Sequence, residues 1–125
     1  QLRGIGGKIL RYSSQEIAID IANILNDKKA VDVIVLDISH LTVITDYFII
    51  ASGRSELQVR ALYDEVEEKM EEKGLAPSRK EGYQEGRWVV LDYGDVVVHI
   101  FHQEEREFYG LERLWADGIP LAIDK

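Results

Sequence analysis

The chain contains no cysteine, one methionine and two prolines among its 125 residues. Without cysteine there is no disulfide, no thiolate nucleophile and no Cys-ligated zinc, which suits a cytoplasmic protein. Positive charge is also scarce, with 15 Lys and Arg against 23 Asp and Glu and a formal net charge of -8. Long-range repulsion then replaces any general attraction to phosphate backbones, so direct nucleic-acid binding is not expected. A cationic protein partner is the natural complement, although acidity that serves only solubility explains the charge equally well. Long apolar runs are missing too: nothing approaches the roughly 18 residues of a membrane span, and no signal-peptide core is seen. These absences predict a cytoplasmic protein without a membrane or metal-thiolate role.

What is present is enough for one core, since 46% of the residues are hydrophobic, and a chain of this length forms a single domain. Residues 1–12 are set aside as an N-terminal extension, 13–117 form the domain and 118–125 a C-terminal tail. Ser13 with Glu16 reads as a capping box, and Ile17, Ala18, Ile21, Ala22, Ile24 and Leu25 recur at helical spacing, predicting a helix over 14–28 with Lys28 and Lys29 in its last turn. The β-branched run 31–36 and the apolar run 47–51 read as strands. Ser55 with Gln58 starts a second helix, whose stripe of Val59, Leu62, Tyr63, Val66 and Met70 ends at Gly74. Trp88 to Leu91 and Val96 to Phe101 form two strands joined at Asp92-Tyr93-Gly94-Asp95, with Gly94 expected in the left-handed conformation. A last helix is expected from Gln103 to Trp115, with Phe108, Leu111, Leu114 and Trp115 facing inward and Gly110 in its interior. The order predicts an α/β domain with a mixed sheet of about four strands carrying helices.

Catalytic constellations are weak. His99 and His102 are three apart on a strand and so point to opposite faces, which opposes joint metal ligation. Asp92 and Asp95 would suit a divalent cation but suit an ordinary turn better. The segment Ala51-Ser52-Gly53-Arg54-Ser55 meets a helix start, where phosphates bind, yet it has one glycine and no Walker lysine, and Glu56 places a negative charge there. Plain helix capping is the better account. Nucleotidyl transfer would need paired carboxylates for magnesium, and no Asp-x-Asp pair follows the Gly-Ser segment. Trp88 and Tyr93 fall on opposite faces of a strand, so one of them is expected to face away from the helices as an interface anchor; the plainer alternative is that Trp88 only covers sheet or core.

Several segments in order then carry a family resemblance: Lys28-Lys29-Ala30-x-Asp32, Leu36-Asp37, Thr45 to Gly53, Gln58-Val59-x-Ala61, Glu81-Gly82, Trp88 to Phe101, Arg106 and Tyr109-x-Leu111-Glu112-x-Leu114-Trp115-x-Asp117. Over roughly residues 13–117 the chain resembles the Iojap or RsfS family of ribosomal silencing factors; only the residues before Tyr12 are unfamiliar. The resemblance implies a nucleotidyltransferase-like layout without the catalytic acids, no enzymatic activity and no cofactor. It implies binding to the large ribosomal subunit through large-subunit ribosomal protein fourteen, which blocks joining of the small subunit and represses translation; organelle relatives are associated with large-subunit assembly. Carried over by position, Trp88 and Tyr93 become apolar anchors and Asp92 and Asp95 partners for Lys or Arg, with Asp46, Tyr47 and His99 in second place. The alternative function is a nucleotidyltransferase-like enzyme with magnesium-bound carboxylates. The sequence leaves a homodimer open.

Overall fold

The computed structural model describes the backbone of residues 2–5 and 8–11 and residues 12–123 in full. The rest of the N-terminal extension and residues 124 and 125 lie outside the described residues. Among the described residues, eight strands and four helices follow in the order β1 (Leu2–Ile5), β2 (Lys8–Arg11), α1 (Ser14–Asp27), β3 (Val31–Asp37), β4 (Tyr47–Gly53), α2 (Glu56–Glu72), β5 (Arg79–Glu81), β6 (Trp88–Asp92), β7 (Val96–His102), α3 (Gln103–Tyr109), α4 (Leu111–Leu114) and β8 (Ile119–Pro120). β1 and β2 pair only with each other, and the other six strands form one sheet in the order β5-β6-β7-β4-β3-β8.

The α/β class with a mixed sheet is as expected, but the sheet has six strands, not about four. The two additions are edge strands that carry little sequence signal. β5 is Arg-Lys-Glu, fully exposed, and β8 is two residues ending in proline. Neither shows the apolar alternation by which a strand is recognised. The parallel pair β4 and β7 sits at the centre, and the other pairings are antiparallel.

Both long helices cover one face of this sheet. α1 begins as its sequence dictates: the Ser13 hydroxyl accepts from Glu16 N and the Glu16 carboxylate accepts from Ser13 N, each at 3.0 Å. Its apolar stripe of Ala18, Ile21, Ala22 and Leu25 meets Val59, Leu62, Val66 and Met70 of α2 and Val35, Ile49, Ala51, Val89, Leu91, Val98 and Ile100 of the sheet. Each Val, Leu, Ile or Met of this set, fully buried, stabilises the fold by roughly 1.5–3 kcal/mol. Lys28 caps α1 and Lys29 follows at φ 67°, so both cations lie just past the last turn instead of within it. No helix among the described residues is long and apolar enough to cross a membrane.

The last helix departs from expectation. Gly110 does not sit in a helix interior; at φ 58° it ends α3 and starts the single turn α4. A Cβ there would meet the Arg113 guanidinium, and the left-handed angle itself favours glycine. The break re-aims the chain. Leu111 and Trp115 pack on the sheet, whereas Phe108 and Leu114, expected inside, are 77% and 76% exposed. Arg106 fixes the corner: it is only 11% exposed, forms a two-pronged pair with Glu112 at 3.0 Å on both prongs, and donates to Ser52 Oγ and Val31 O.

Candidate partner-docking face

The sheet face away from α1 and α2 is only half covered, and strand register shows what lies on it. One row across the sheet reads Arg79, Asp92, Val97, Phe48 and Leu36. The next reads Glu81, Val90, His99, Ile50 and Ile34, and a third begins with Trp88 and Phe101. Leu111 and Trp115 cover the part built from Leu36, Ile38, Ile50 and Phe101. Over β6 and β7 neither long helix lies on this side, and α3 reaches it at Tyr109, which meets Trp88. The result is a groove of about 350 Å³ lined by Thr42, Ile44, Thr45, Phe48, Arg79, Glu81, Trp88, Val90, Asp92, Val97, His99 and Trp115.

Aromatic rings hold this face together. Trp88 stacks on Phe101 with centroids 4.8 Å apart and touches Tyr109 at the same distance, while Phe48 meets His99 edge-on at 4.7 Å and Trp115 at 5.2 Å. Such pairs are worth about 0.5–1.5 kcal/mol each beyond their buried area. Around them stand exposed apolar side chains: Val43 and Ile44 on the loop before β4, and Phe108 and Leu114 beyond Tyr109. Ile44 lines the groove itself, and Phe108 meets Tyr109 edge-on at 5.1 Å.

His99 is a buried polar group of this face, 8% exposed. Its Nδ1 accepts a hydrogen bond from Trp88 Nε1 at 3.1 Å. Burial lowers its pKa to about 4, against a smaller opposing pull from the Asp92 carboxylate. The ring is therefore neutral at physiological pH. His102 points elsewhere and caps α3 by accepting from Glu104 N. The described residues contain no group of three or more His, Asp or Glu placed to hold a metal.

The seven residues singled out from sequence divide into three sets. Trp88, Asp92 and His99 come together on the open face. Tyr93 and Tyr47 pack against the helix-side core, away from that face; the Tyr93 hydroxyl is buried with no hydrogen-bond partner, and burial raises its pKa. The Tyr47 pKa is raised as well, first by burial and then by Asp37 and Asp46. Asp95 and Asp46 close the sheet end through their main chains: Asp95 O accepts from Asp46 N and Tyr47 N, both at 3.0 Å, and Asp46 O accepts from Ile38 N at 2.8 Å. The turn reading of the acids agrees with their bonds. Asp92 Oδ1 accepts from Gly94 N at 2.8 Å, while Asp95 Oδ2 accepts from Ser14 Oγ at 3.2 Å. Gly94 has φ 90°, the left-handed angle expected of it. At the start of α2, Ser55 Oγ accepts from Gln58 N, so one of the helix's free N–H groups is used in capping, and Gln58 Oε1 accepts from Arg54 N just before the cap.

Phe48, Thr45, Ile44, Val90, Val97 and Trp115 were not singled out from sequence. The alternation in 88–92 places Trp88, Val90 and Asp92 together, but only the pairing of β6 with β7 and β4 sets Val97, His99 and Phe48 beside them.

The model of a family described as "Ribosomal silencing factor during starvation" matches residues 11–125. The ribosomal silencing factor RsfS of Halalkalibacterium halodurans is 45% identical over 112 residues, covering 90% of this chain and 96% of that protein. That of Bacillus subtilis is 45% identical over 97 residues, 78% of this chain and 81% of the relative. The chloroplastic protein Iojap of Zea mays is 32% identical over 106 residues, 85% of this chain and 46% of the relative. A crystal structure of a protein from Chromobacterium violaceum has the same fold, with a TM-score of 0.82 at 38% identity, covering 91% of this chain and 94% of the other.

Proposed function

Because this chain belongs to the ribosomal silencing factor family, we propose that it represses translation by binding the large ribosomal subunit in the cytoplasm through large-subunit ribosomal protein fourteen. Bound there, it blocks joining of the small subunit by occupying space, and no chemistry is required. The observation that supports this reading is the uncovered sheet face, where Trp88, Phe48, Val90 and Val97 lie beside Asp92 on a chain of net charge -8. An acidic module is steered towards a basic ribosomal protein by long-range attraction. Its apolar groove then supplies the desolvated centre in which Trp anchors contribute most of the binding energy. A standard interface covers about 800 Å² per partner, enough for one side of a domain this size.

Trp88 is the proposed anchor and Asp92 the proposed partner for a Lys or Arg. Asp46 and Asp95, at the sheet end, are proposed only as a flanking negative field. The nucleotidyltransferase-like alternative needs converging carboxylates, and Asp92 and Asp95 are bonded in different directions.

Cosedimentation with isolated large and small subunits tests the assignment, together with light scattering to follow subunit joining. Wild type is expected with large subunits only; Trp88→Ala is expected to lower the thermal melt, because it removes the stacking on Phe101 and the bond to His99, and to lose the block on joining even at temperatures where it remains folded. Equal association with both subunits would refute the proposal.

A further inference from the structure

We propose that the floor of the open groove is a receptor for a neutral oxygen, a carbonyl of the protein partner, presented to His99 Nε2 and the Thr45 hydroxyl. This deepens the docking reading above and rests on it. The argument begins with a tautomer. Trp88 Nε1 donates to His99 Nδ1, and a neutral imidazole that accepts at one nitrogen carries its proton on the other. His99 Nε2 is therefore a donor. It is buried and has no hydrogen-bond partner, and Thr45 Oγ1, on a residue 4% exposed, is in the same condition. Both residues line the same groove.

Two unpaired polar atoms beneath one apolar groove are costly in the free protein, because each forfeits its bonds to water without replacement. A ligand that supplies the missing acceptor recovers that cost on binding. The charges nearby select its chemistry. Val90 and Ile50 flank His99 in its row, with Glu81 beyond Val90, and Asp92 lies in the next; Arg79 also lines the groove but is paired with Glu81 at 3.3 Å, so the lining is left with the Asp92 carboxylate unbalanced and repels a phosphate or carboxylate oxygen. A main-chain or side-chain carbonyl brings the acceptor without the charge, and Phe48, Val97 and Trp115 receive the apolar atoms around it. Access runs past the loop of Leu41, Val43 and Ile44, whose side chains already stand in solvent. The occupant is thus an apolar protrusion of a polypeptide, not nucleic acid.

Thr45→Val keeps the shape and removes only the hydroxyl, and His99→Phe removes the donor. Affinity for isolated large subunits is expected to fall about tenfold for Thr45→Val, equivalent to about 1.4 kcal/mol, and further for His99→Phe. The thermal melt of Thr45→Val is expected to stay level or rise. Long-range nitrogen-proton correlation in the free protein is expected to show His99 protonated at Nε2. Thr45→Val with unchanged affinity and a lower melt would overturn the proposal, since the hydroxyl would then serve the fold alone. If Trp88→Ala weakens binding while Thr45→Val and His99→Phe do not, the receptor falls and the docking face stands. If Trp88→Ala binds as wild type does, both fall.

Discussion

Acid should weaken this fold through His99 before it does so through its carboxylates. In the unfolded chain the imidazole titrates near the ordinary 6.5; in the folded protein burial lowers it to about 4. Between those values the unfolded chain binds a proton that the folded one does not, so stability rises with pH across this window and falls as pH is lowered through it. The contribution is fully present above about 6.5 and gone at about 4. Each pH unit of the gap corresponds to about 1.4 kcal/mol, giving about 3 kcal/mol for the group. Asp37, whose pKa is lowered from 3.8 first by the Ser39 hydroxyl and then by the Ser39 N–H, loses its contribution below this window. Urea denaturation of wild type and His99→Phe at pH 7.5, 6.5, 5.5 and 4.5 isolates the effect, because the two proteins share every other titratable group. Wild type is expected to lose roughly 2–3 kcal/mol more than the variant between the extremes. Parallel profiles would show that the imidazole is not held neutral, and the tautomer argument would go with it.

Association with large subunits is expected to weaken from low to high salt, as exposed charges are screened beyond a Debye length of about 8 Å at physiological ionic strength; a salt-independent affinity would make the interface mainly apolar. Tyr93→Phe removes a buried hydroxyl that has no partner, so its unfolding free energy in urea is expected to hold or rise by up to about 1 kcal/mol, with the block on joining retained. Tyr93→Ala, in contrast, is expected to lose roughly 3 kcal/mol from the helix-side core; a normal melt with lost binding would return Tyr93 to the interface. Arg106→Ala removes the clamp on Glu112, Ser52 and Val31 and is expected to cost about 2 kcal/mol, less than a fully buried pair because Glu112 is 39% exposed. Faster hydrogen exchange in α4 would accompany it, and unchanged exchange would show that the corner holds without Arg106.

Local patterns were legible where one residue decides them. Ser13 with Glu16 and Ser55 with Gln58 mark helix starts because capping is a contact across three residues, and Gly94 marks the turn because its backbone angle is local. Long-range facts were not legible. The alternation of Trp88 and Tyr93 says that they part company, but which side the helices occupy depends on how α1 and α2 cross the sheet. The run 103–115 has helical periodicity in Phe108, Leu111, Leu114 and Trp115, and its break comes from Gly110 together with the reach of Arg106 to Ser52 and Val31, 54 and 75 residues away in sequence. Edge strands such as β5 and β8 are defined by the neighbour they meet, so their own residues need carry no signature.

Those two edges also govern how so apolar a face survives in free solution. A sheet ending in a long flat strand offers its unpaired N–H and C=O groups to any chain that passes, and such edges zip together. Here one border is Arg79-Lys80-Glu81, with Lys80 tied to Glu67 at 2.9 Å, and the other is Ile119–Pro120, where proline has no N–H to give. Sideways growth of the sheet is blocked at both ends. Contact is thereby confined to side chains meeting face on, a mode in which a single altered ring or charge changes recognition and in which misaligned copies find no ladder to extend.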